Sequence, residues 1–274
     1  SSKVTINKYE TNEILLRNGF HVARHALASS EVWKADAKAF YDSICTNFQF
    51  PFIAKPVDDG CSSAVKKIRN REELEAFTEM IFRSDELLLA NPAKVLNLKA
   101  KEEFPRKKVF LLEELIVKKD AVHFLEITGG MLTHLHENGE RTYEVFEASE
   151  ALSEGDVLSL EEKFLAGEGQ NITPARYAKD PAERDRISAV VKEELDKAAR
   201  ILNIEGYARI DAFVRVYANG KAEVIFIEVN SLPGMTPATC IFHQTAIAGY
   251  KPYDFIDRIL QYGIKKRGAE ISVH

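Results

Sequence analysis

The chain has 274 residues, with 37 Lys and Arg against 42 Asp and Glu, so its formal net charge is −5. About 45% of the residues are hydrophobic and 29% are charged, which is typical of a soluble globular protein. The length allows one large domain or two lobes, and the mild acidity argues against a surface that neutralises nucleic-acid phosphates. No apolar run approaches the roughly 18–20 residues that cross a bilayer. Neither a nucleic acid nor a membrane is therefore expected as a partner.

The three cysteines, Cys45, Cys61 and Cys240, are far apart in the chain. Their number is odd and they form no Cys-x-x-Cys pair, which argues against a disulfide framework and against a zinc knuckle. We therefore expect a reducing compartment and a cytoplasmic protein.

The first half of the chain mixes helical and strand-like segments. The predicted helices cover residues 9–18, 36–44 and 70–83. The predicted strands cover residues 50–57, 64–68 and 108–116. Asn70 and Glu73 have the spacing of a capping box, which opens the third helix. The polar residues 58–63 predict a loop between the first two strands.

The second half of the chain is more clearly patterned. Asp180-Pro181 begins a helix that is predicted to reach residue 202. Strands are predicted over 207–217 and 223–230, and Asn219-Gly220 between them is typical of a two-residue type I′ turn. Strands and helices do not alternate strictly, so we predict the α+β class with two lobes. The predicted lobes are residues 1–116 and 117–274.

The two-residue turn fixes which residues of the last two strands face each other. In that register, Asp211 lies opposite Glu228. Arg209 lies opposite Asn230, and all four side chains share one face of the strand pair. The apolar residues predicted on the same face are Val224 and Phe226.

Two carboxylates that face each other across a strand pair repel, so something must offset their charge. A hard divalent cation would do so, because carboxylate and amide oxygens suit Mg²⁺. One alternative is a solvated surface pair that Arg209 neutralises. Another is a pair of carboxyl groups that shares one proton. The register alone leaves these three readings open.

Lys55 lies on a predicted buried strand that leads into the polar turn Asp58-Asp59-Gly60-Cys61-Ser62-Ser63. A lysine followed by a turn with several donors is one way in which a β-hairpin holds nucleotide phosphates. The alternative is a lysine beside an ordinary turn.

Segments along the whole chain match the motifs of one family. The two most specific are Gly206-Tyr207-Ala208-Arg209-Ile210-Asp211 and Ile227-Glu228-Val229-Asn230-Ser231-Leu232-Pro233-Gly234-Met235-Thr236. Segments of moderate specificity are 19–20, 50–56, 59–62, 111–116 and 161–164. Together they resemble the ATP-grasp superfamily and, within it, the D-alanine–D-alanine ligases. This resemblance implies an α+β ATP-grasp fold whose two lobes hold the nucleotide between them.

The resemblance also implies which residues contact ATP. For the phosphates these are Lys8 and Lys55 from the small lobe and, in a loop above them, Gly60, Cys61 and Ser62. For the adenine they are the backbone groups of Glu113, Glu114, Leu115 and Ile116. Asp120 stands where the family has an acidic residue that holds the ribose.

The residues for metal binding and catalysis are implied in the same way. The implied ligands of two Mg²⁺ ions, with Mn²⁺ as an alternative, are Asp211, Glu228 and Asn230. Arg209 and the backbone N–H of Gly234 would stabilise the oxyanion of a tetrahedral intermediate. Lys163 would lie in a loop that closes over the γ-phosphate. Thr239 would bind the carboxylate of the second substrate.

The implied activity is that of an ATP- and Mg²⁺-dependent ligase of the D-alanine–D-alanine type, which joins a carboxylate to an amine through an acylphosphate for peptidoglycan synthesis. Two alternatives stay open: an ATP-grasp ligase for another amino acid or a short peptide, and a nucleotide-binding module without turnover that another chain completes. In every case the substrates would be small molecules.

The chain departs from the family pattern on the side of the first substrate. Cys61 stands where the family has a serine, and Phe164 where it commonly has a tyrosine. The family's substrate-side domain, which supplies an acidic residue to the same network, lies before the position at which this sequence begins. We therefore expect a full-length product to carry such a domain upstream.

Overall fold

The structure, a computed structural model, describes residues 2–58, 64–99, 102–152, 171–236 and 239–271. The described residues divide into two compact units. The larger unit contains residues 2–22 and the described residues from 118 onward, whereas the smaller unit contains those between 23 and 117. The predicted lobes, 1–116 and 117–274, differ from this division in the placement of residues 2–22.

The four helices and five strands predicted above are found to within three residues at each end, and the structure contains further elements besides them. The described helices are α1 (Ser2–Thr5), α2 (Lys8–Arg17), α3 (Ser30–Ala35), α4 (Ala37–Asn47), α5 (Arg71–Phe82), α6 (Ala90–Val95), α7 (Pro181–Ile201), α8 (Cys240–Ile247) and α9 (Pro252–Ile271). The described strands are β1 (His21–Val22), β2 (His25–Ser29), β3 (Phe52–Pro56), β4 (Lys66–Ile68), β5 (Val109–Glu114), β6 (His123–Leu135), β7 (Arg141–Val145), β8 (Ser149–Ala151), β9 (Asn171–Ile172), β10 (Tyr207–Val216) and β11 (Ala222–Ser231). Within this part of the chain, no helix combines the length and the apolar character needed to cross a membrane.

The larger unit contains a seven-stranded sheet in the order β1-β11-β10-β6-β8-β9, with β7 also paired to β6. β1 runs parallel to β11, and the other pairs are antiparallel. Helices α1 and α2 pack on β11 as well. These contacts attach the start of the chain to a strand from its second half, which is why residues 2–22 belong to the larger unit.

Helix α7 supplies much of the core of the larger unit. It begins where the Asp180 side chain accepts a hydrogen bond from the N–H of Glu183, with Pro181 in the first turn. Its fully buried residues include Ile187, Val191, Leu195 and Ala198. A Cβ added to Gly129 of β6 would stand 2.3 Å from Cδ1 of Leu195. A glycine is therefore needed for the helix to lie this close to the sheet.

The smaller unit contains a four-stranded antiparallel sheet in the order β2-β5-β3-β4. Helix α5 begins at Asn70, whose side chain accepts from the N–H of Glu73. Glu73 Oε2 accepts in turn from the N–H of Arg69 at 2.8 Å, so the predicted cap is present with its return bond one residue earlier. The fully buried aromatic residues of this unit are Phe52, Phe77 and Phe110.

Candidate active site

The hairpin of β10 and β11 places the predicted metal ligands side by side. Asp211 pairs with Glu228 and Arg209 with Asn230, which confirms the predicted register at these positions. Directly paired residues of antiparallel strands lie on one face, with Cβ atoms about 4.5–5.5 Å apart. Two carboxylates, an amide and a guanidinium therefore meet on one side of the hairpin.

The turn of this hairpin differs from the predicted one. The N–H of Tyr217 donates to the carbonyl of Lys221 at 2.9 Å, and the N–H of Gly220 donates to the carbonyl of Tyr217 at 2.8 Å. Residues 218–220 therefore form a three-residue turn, in which Gly220 has φ +77°. That left-handed conformation is the usual closure of a three-residue hairpin turn, and glycine adopts it without strain.

A bulge between Asp211 and Ala212 compensates for the longer turn and restores the predicted register at the site. Between the bulge and the turn, however, the predicted facing is wrong. Phe226 pairs with Ala212 and Val224 with Val214. All four are buried in the core that α7 covers, so Val224 and Phe226 lie on the face opposite to the one predicted.

Asp211 is buried, Glu228 has 11% of its side chain exposed, and the two carboxylates lie beside two cations. Asp211 is 2% exposed, and Nη2 of Arg209 donates to its Oδ2 at 3.1 Å. Nη2 of Arg209 also lies 3.6 Å from Oε1 of Glu228, and Nζ of Lys8 lies 3.6 Å from Oε2 of the same carboxylate. This burial argues against the reading as a solvated surface pair.

The electrostatic balance of the site depends on Arg209. The nearby Asp211 carboxylate raises the pKa of Arg209 above its ordinary value, and Glu228 adds to this effect, whereas burial opposes it. The guanidinium therefore stays charged, and it offsets the repulsion between the two carboxylates.

The donors of this face fit a magnesium ion. Carboxylate and amide oxygens are hard ligands, and Asp211, Glu228 and Asn230 supply both kinds. Nδ2 of Asn230 donates to Oε1 of Glu228 at 2.9 Å, which leaves the amide oxygen as the group that can bind a cation. No cluster of three His, Cys, Asp or Glu occurs in the described residues. The set of ligands predicted here contains two carboxylates and an amide, so it does not depend on such a cluster.

Lys8 lies at the start of α2, which the side chain of Asn7 caps. It is 9% exposed, and its ion pair with Glu228 places it in the larger unit beside the predicted metal ligands. Lys8 was predicted to act from the small lobe, whereas the structure groups it with the larger unit. The cause is the pairing of β1 with β11, which the local sequence pattern does not reveal.

Lys55 lies on β3 of the smaller unit, as predicted, and is 4% exposed. Its Nζ is 2.7 Å from Oε2 of Glu113 on the neighbouring strand β5. Lys55 pairs directly with Leu111, so Glu113 is its diagonal neighbour. The carboxylate offsets the cost of burying the ammonium group inside the unit.

The segment predicted to meet the adenine begins inside a strand. Glu113 and Glu114 are the last two residues of β5, and Glu114 is exposed. Leu115 and Ile116 follow directly, just before the chain passes from the smaller to the larger unit after residue 117. Asp120 is exposed and belongs to the larger unit. The roles of these residues toward the adenine and the ribose stay predictions.

The loop after β11 carries Gly234 and leads to Thr239. Oη of Tyr207 donates to the carbonyl of Pro233 at 2.9 Å, which ties the loop to β10. Thr239 is the N-cap residue of α8, and its Oγ1 donates to the carbonyl of Thr236 at 2.8 Å. Among the described residues, no atom lies within 4 Å of a Cβ built on Gly234.

The predicted roles of Gly60, Cys61, Ser62 and Lys163 fall on residues outside the described part of the chain. The strands that flank the first three are paired, because Ala54 of β3 lies opposite Lys66 of β4. The predicted hairpin therefore has its two strands in place.

The sequence reasoning did not find Thr128. Its Oγ1 donates to Oδ1 of Asp211 at 2.9 Å, so it contacts a predicted metal ligand directly. Thr128 lies on β6, which pairs with β10, and it is 83 residues from Asp211 in the chain. No turn connects these two strands, so no local signal could have shown that they are neighbours.

Comparison with known proteins agrees with the motifs. The family model described as "D-ala D-ala ligase C-terminus" matches residues 14–94 and 93–261. The D-alanine–D-alanine ligase of Leptospira interrogans is 27% identical over 269 residues, which are 97% of this chain and 64% of that protein. The D-alanine–D-alanine ligase of Syntrophobacter fumaroxidans is 26% identical over 265 residues, or 96% of this chain and 70% of that protein. The chain thus spans about 64% of the length of the first of these relatives.

Solved structures share the fold. The D-alanine–D-alanine ligase of Coxiella burnetii superposes with a TM-score of 0.64 at 16% identity, covering 98% of this chain and 60% of that one. The VanG D-Ala:D-Ser ligase of Enterococcus faecalis gives 0.62 at 19% identity, covering 94% of this chain and 62% of that one. These similarities confirm the predicted ATP-grasp fold. Because the family model matches most of its length, the chain belongs to the D-alanine–D-alanine ligase C-terminus family.

Proposed function

We propose that the protein is an ATP- and Mg²⁺-dependent ligase that joins two amino acids of the D-alanine type through an acylphosphate. Its family membership and the names of its relatives support this activity. The observation that carries the proposal is the group of Asp211, Glu228, Asn230 and Arg209 on one face of a hairpin, in which Asp211 is buried and the other three are partly buried. Burying two adjacent carboxylates is costly, and a metal-dependent reaction gives a reason to retain them.

In this proposal the small ATP-grasp lobe lies within residues 23–117, and the large lobe combines residues 2–22 with the chain from 118 onward, so that Lys8 acts from beside the large-lobe carboxylates. Lys55 and Lys8 bind phosphates of ATP, and the backbone of residues 113–116 receives the adenine. Asp211, Glu228 and Asn230 would hold two Mg²⁺ ions. When bound, these ions would neutralise the phosphates and hold the transferring group in line.

The reaction has two steps. A substrate carboxylate oxygen attacks the γ-phosphorus of ATP, and the bond between this phosphorus and the oxygen that bridges it to the β-phosphate breaks. ADP departs, and the substrate has become an acylphosphate. The amine of a second amino acid then attacks the acyl carbon and phosphate departs, with loss of one proton from nitrogen. Arg209 and the N–H of Gly234 stabilise the oxyanion that forms between attack and departure. The role predicted for residues 60–62 and Lys163, to cover the phosphates and exclude water, falls on residues outside the described part of the chain.

For the identity of the substrates there is a second candidate besides D-alanine. Cys61 and Phe164 replace the serine and the tyrosine of the family pattern, so another amino acid or a short peptide is the second candidate. A related solved structure is titled a D-Ala:D-Ser ligase, which indicates that the second substrate varies on this fold. Arg209 argues against a module without turnover, because the oxyanion role proposed for its guanidinium is needed only if ligation occurs. We place the reaction in the cytoplasm, with small molecules as its substrates.

The test is phosphate release from ATP by the full chain in the presence of Mg²⁺. D-alanine, D-serine, their L-enantiomers and short peptides are supplied singly and in pairs, and products are identified by mass spectrometry. We expect release that depends on D-alanine and yields a dipeptide. Release with other substrates alone would favour the second candidate. Nucleotide binding without release under any condition would contradict the proposed ligase.

A further inference from the structure

A row of polar side chains crosses the larger sheet in one line. Glu228 pairs with Asp211, Asp211 with Thr128, and Thr128 with Ser149. Residues paired in this way lie on the same face of a sheet. Oγ of Ser149 is 2.6 Å from Oγ1 of Thr173, which extends the row beyond β8. The predicted metal ligands are therefore one end of a polar line across neighbouring strands.

Thr128 determines how the carboxylate of Asp211 is turned. Its hydroxyl donates to Oδ1 at 2.9 Å, and Nη2 of Arg209 donates to Oδ2 at 3.1 Å. Each carboxylate oxygen thus has its own donor. Hydrogen bonds to a charged acceptor are stronger than those between neutral groups. Together the two bonds fix the rotation of a side chain that is 2% exposed.

The side chain of Gln244, on α8, forms hydrogen bonds with two residues of this row. Its Nε2 donates to the carbonyl of Thr128 at 2.7 Å and to Oγ of Ser149 at 3.0 Å. The residue is 1% exposed, so these bonds offset the cost of burying its amide nitrogen, whereas Oε1 is buried without a hydrogen-bond partner among the described residues. A Cβ on Gly130 would stand 2.2 Å from Oε1 of Gln244, so a glycine leaves the space that the amide occupies. The amide therefore bridges β6 and β8 beside Thr128.

We infer that Thr128 and Gln244 are positioning residues for Asp211, an inference that rests on the proposed function. Thr128 holds the carboxylate in the rotation that presents it to a cation, beside Glu228. Gln244 fixes β6 against β8, so that the Thr128 hydroxyl stays within reach of Asp211. Neither residue touches a substrate in this role. Groups that orient metal ligands in this way typically contribute about 10- to 100-fold to metal affinity.

The test measures metal binding directly rather than activity. Binding of Mn²⁺ to the full chain, in the presence of a non-hydrolysable ATP analogue, is followed by electron paramagnetic resonance of the free ion. Thr128→Val keeps the β-branched shape and removes the hydroxyl, and it should weaken Mn²⁺ binding about 10- to 100-fold. Thr128→Ser restores a hydroxyl and should recover most of the affinity. Gln244→Met keeps the chain length without the amide and should also weaken binding.

Thr245→Val is the matched control for Gln244. Thr245 is the next residue of α8 and is equally buried, but its hydroxyl donates to the carbonyl of Phe242 within the helix region. This variant should bind Mn²⁺ as the unchanged protein does. Equal loss in Thr245→Val and Gln244→Met would overturn the role of Gln244, because general packing would explain both.

The outcomes separate this inference from the proposed function. Unchanged Mn²⁺ affinity in both Thr128→Val and Gln244→Met overturns the inference and leaves the proposed function standing. If the unchanged protein binds no Mn²⁺ with nucleotide, the proposed function fails, and the inference fails with it.

Discussion

The two ends of the β10–β11 hairpin both carry largely shielded acidic groups, but the two clusters are built differently. At the turn end, Glu223 accepts from Oη of Tyr217 at 2.7 Å and from Nη1 of Arg215 at 3.1 Å. The same carboxylate lies 2.7 Å from Nδ1 of His21. At the other end, Asp211 and Glu228 face each other, and the ion pairs of Glu228 with Arg209 and Lys8 are 3.6 Å long.

The comparison distinguishes a cluster that stabilises the fold from a candidate metal site. At the turn end, one carboxylate has three close donors from two strands, so the protein itself satisfies it. At the other end, two like charges lie next to each other; Arg209 donates to Asp211 at 3.1 Å, but the two cations beside Glu228 are 3.6 Å away. A carboxylate whose hydrogen bonds are already formed is stabilised little further by a bound cation. Two adjacent carboxylates are stabilised by a cation that lies between them. We therefore assign stability to Glu223 and chemistry to Glu228.

The largest expected effect comes from Glu228→Gln. Because groups that merely orient a metal ligand already contribute about 10- to 100-fold, loss of a direct ligand should reduce Mg²⁺-dependent phosphate release by more than about 100-fold. The fold should persist, since the amide fills nearly the same volume. Phosphate release and circular dichroism measure the two consequences.

The matched control changes the other acid of the same strand. Glu223→Gln should retain phosphate release close to that of the unchanged protein, measured at a temperature where both variants are folded. Similar losses of release in the two variants would remove the distinction between the two ends of the hairpin.

The next effect concerns Arg209, which separates ligation from nucleotide binding alone. Arg209→Lys keeps the positive charge beside Asp211 but loses the planar donor set. Loss of an oxyanion donor typically reduces kcat by about 10²–10³-fold, and we expect a loss of that size here. The affinity for ATP, measured by calorimetry with Mg²⁺, should change little. A large loss of ATP affinity with unchanged kcat would contradict the role of Arg209 toward an oxyanion.

The same hairpin shows how far the sequence could predict this structure. Helices α5 and α7 were predictable because their first turns carry capping residues within three positions of each other. The pairing of Asp211 with Glu228 was predicted correctly, although the turn is one residue longer than predicted. The bulge between Asp211 and Ala212 compensates for that extra residue. A bulge depends on packing against the core, which a local pattern does not contain.

Contacts between distant strands were beyond prediction. Thr128 meets Asp211 because β6 lies beside β10, and Lys8 meets Glu228 because β1 lies beside β11. Neither pair of strands is joined by a short turn, so the register could not be counted from the sequence. Motif resemblance named Lys8 as a functional residue but did not show to which unit it belongs.

The third prediction concerns the stability that Glu223 provides. Glu223→Gln removes a charged acceptor from Tyr217, Arg215 and His21, and hydrogen bonds to charged groups are worth about 1.5–3 kcal/mol each before compensation. We expect the free energy of unfolding at neutral pH to fall by about 1–3 kcal/mol. Denaturant titration followed by circular dichroism measures it. A decrease in the free energy of unfolding of less than about 0.5 kcal/mol would mean that this cluster does not stabilise the fold.

The smallest effect is the pH dependence of that stability. Burial alone would raise the pKa of Glu223, but hydrogen bonds from Tyr217, His21 and Arg215 outweigh it and lower the pKa to about 2. An unfolded glutamate has a pKa of about 4.3, so the unfolded chain takes up this proton first as the pH falls. The stabilisation is therefore fully present above about pH 5 and is lost as the pH falls toward about 2. Between these values, unfolding free energy should fall more steeply in the unchanged protein than in Glu223→Gln, and parallel curves in denaturant titrations would show that the carboxylate is not held ionised by its three neighbours.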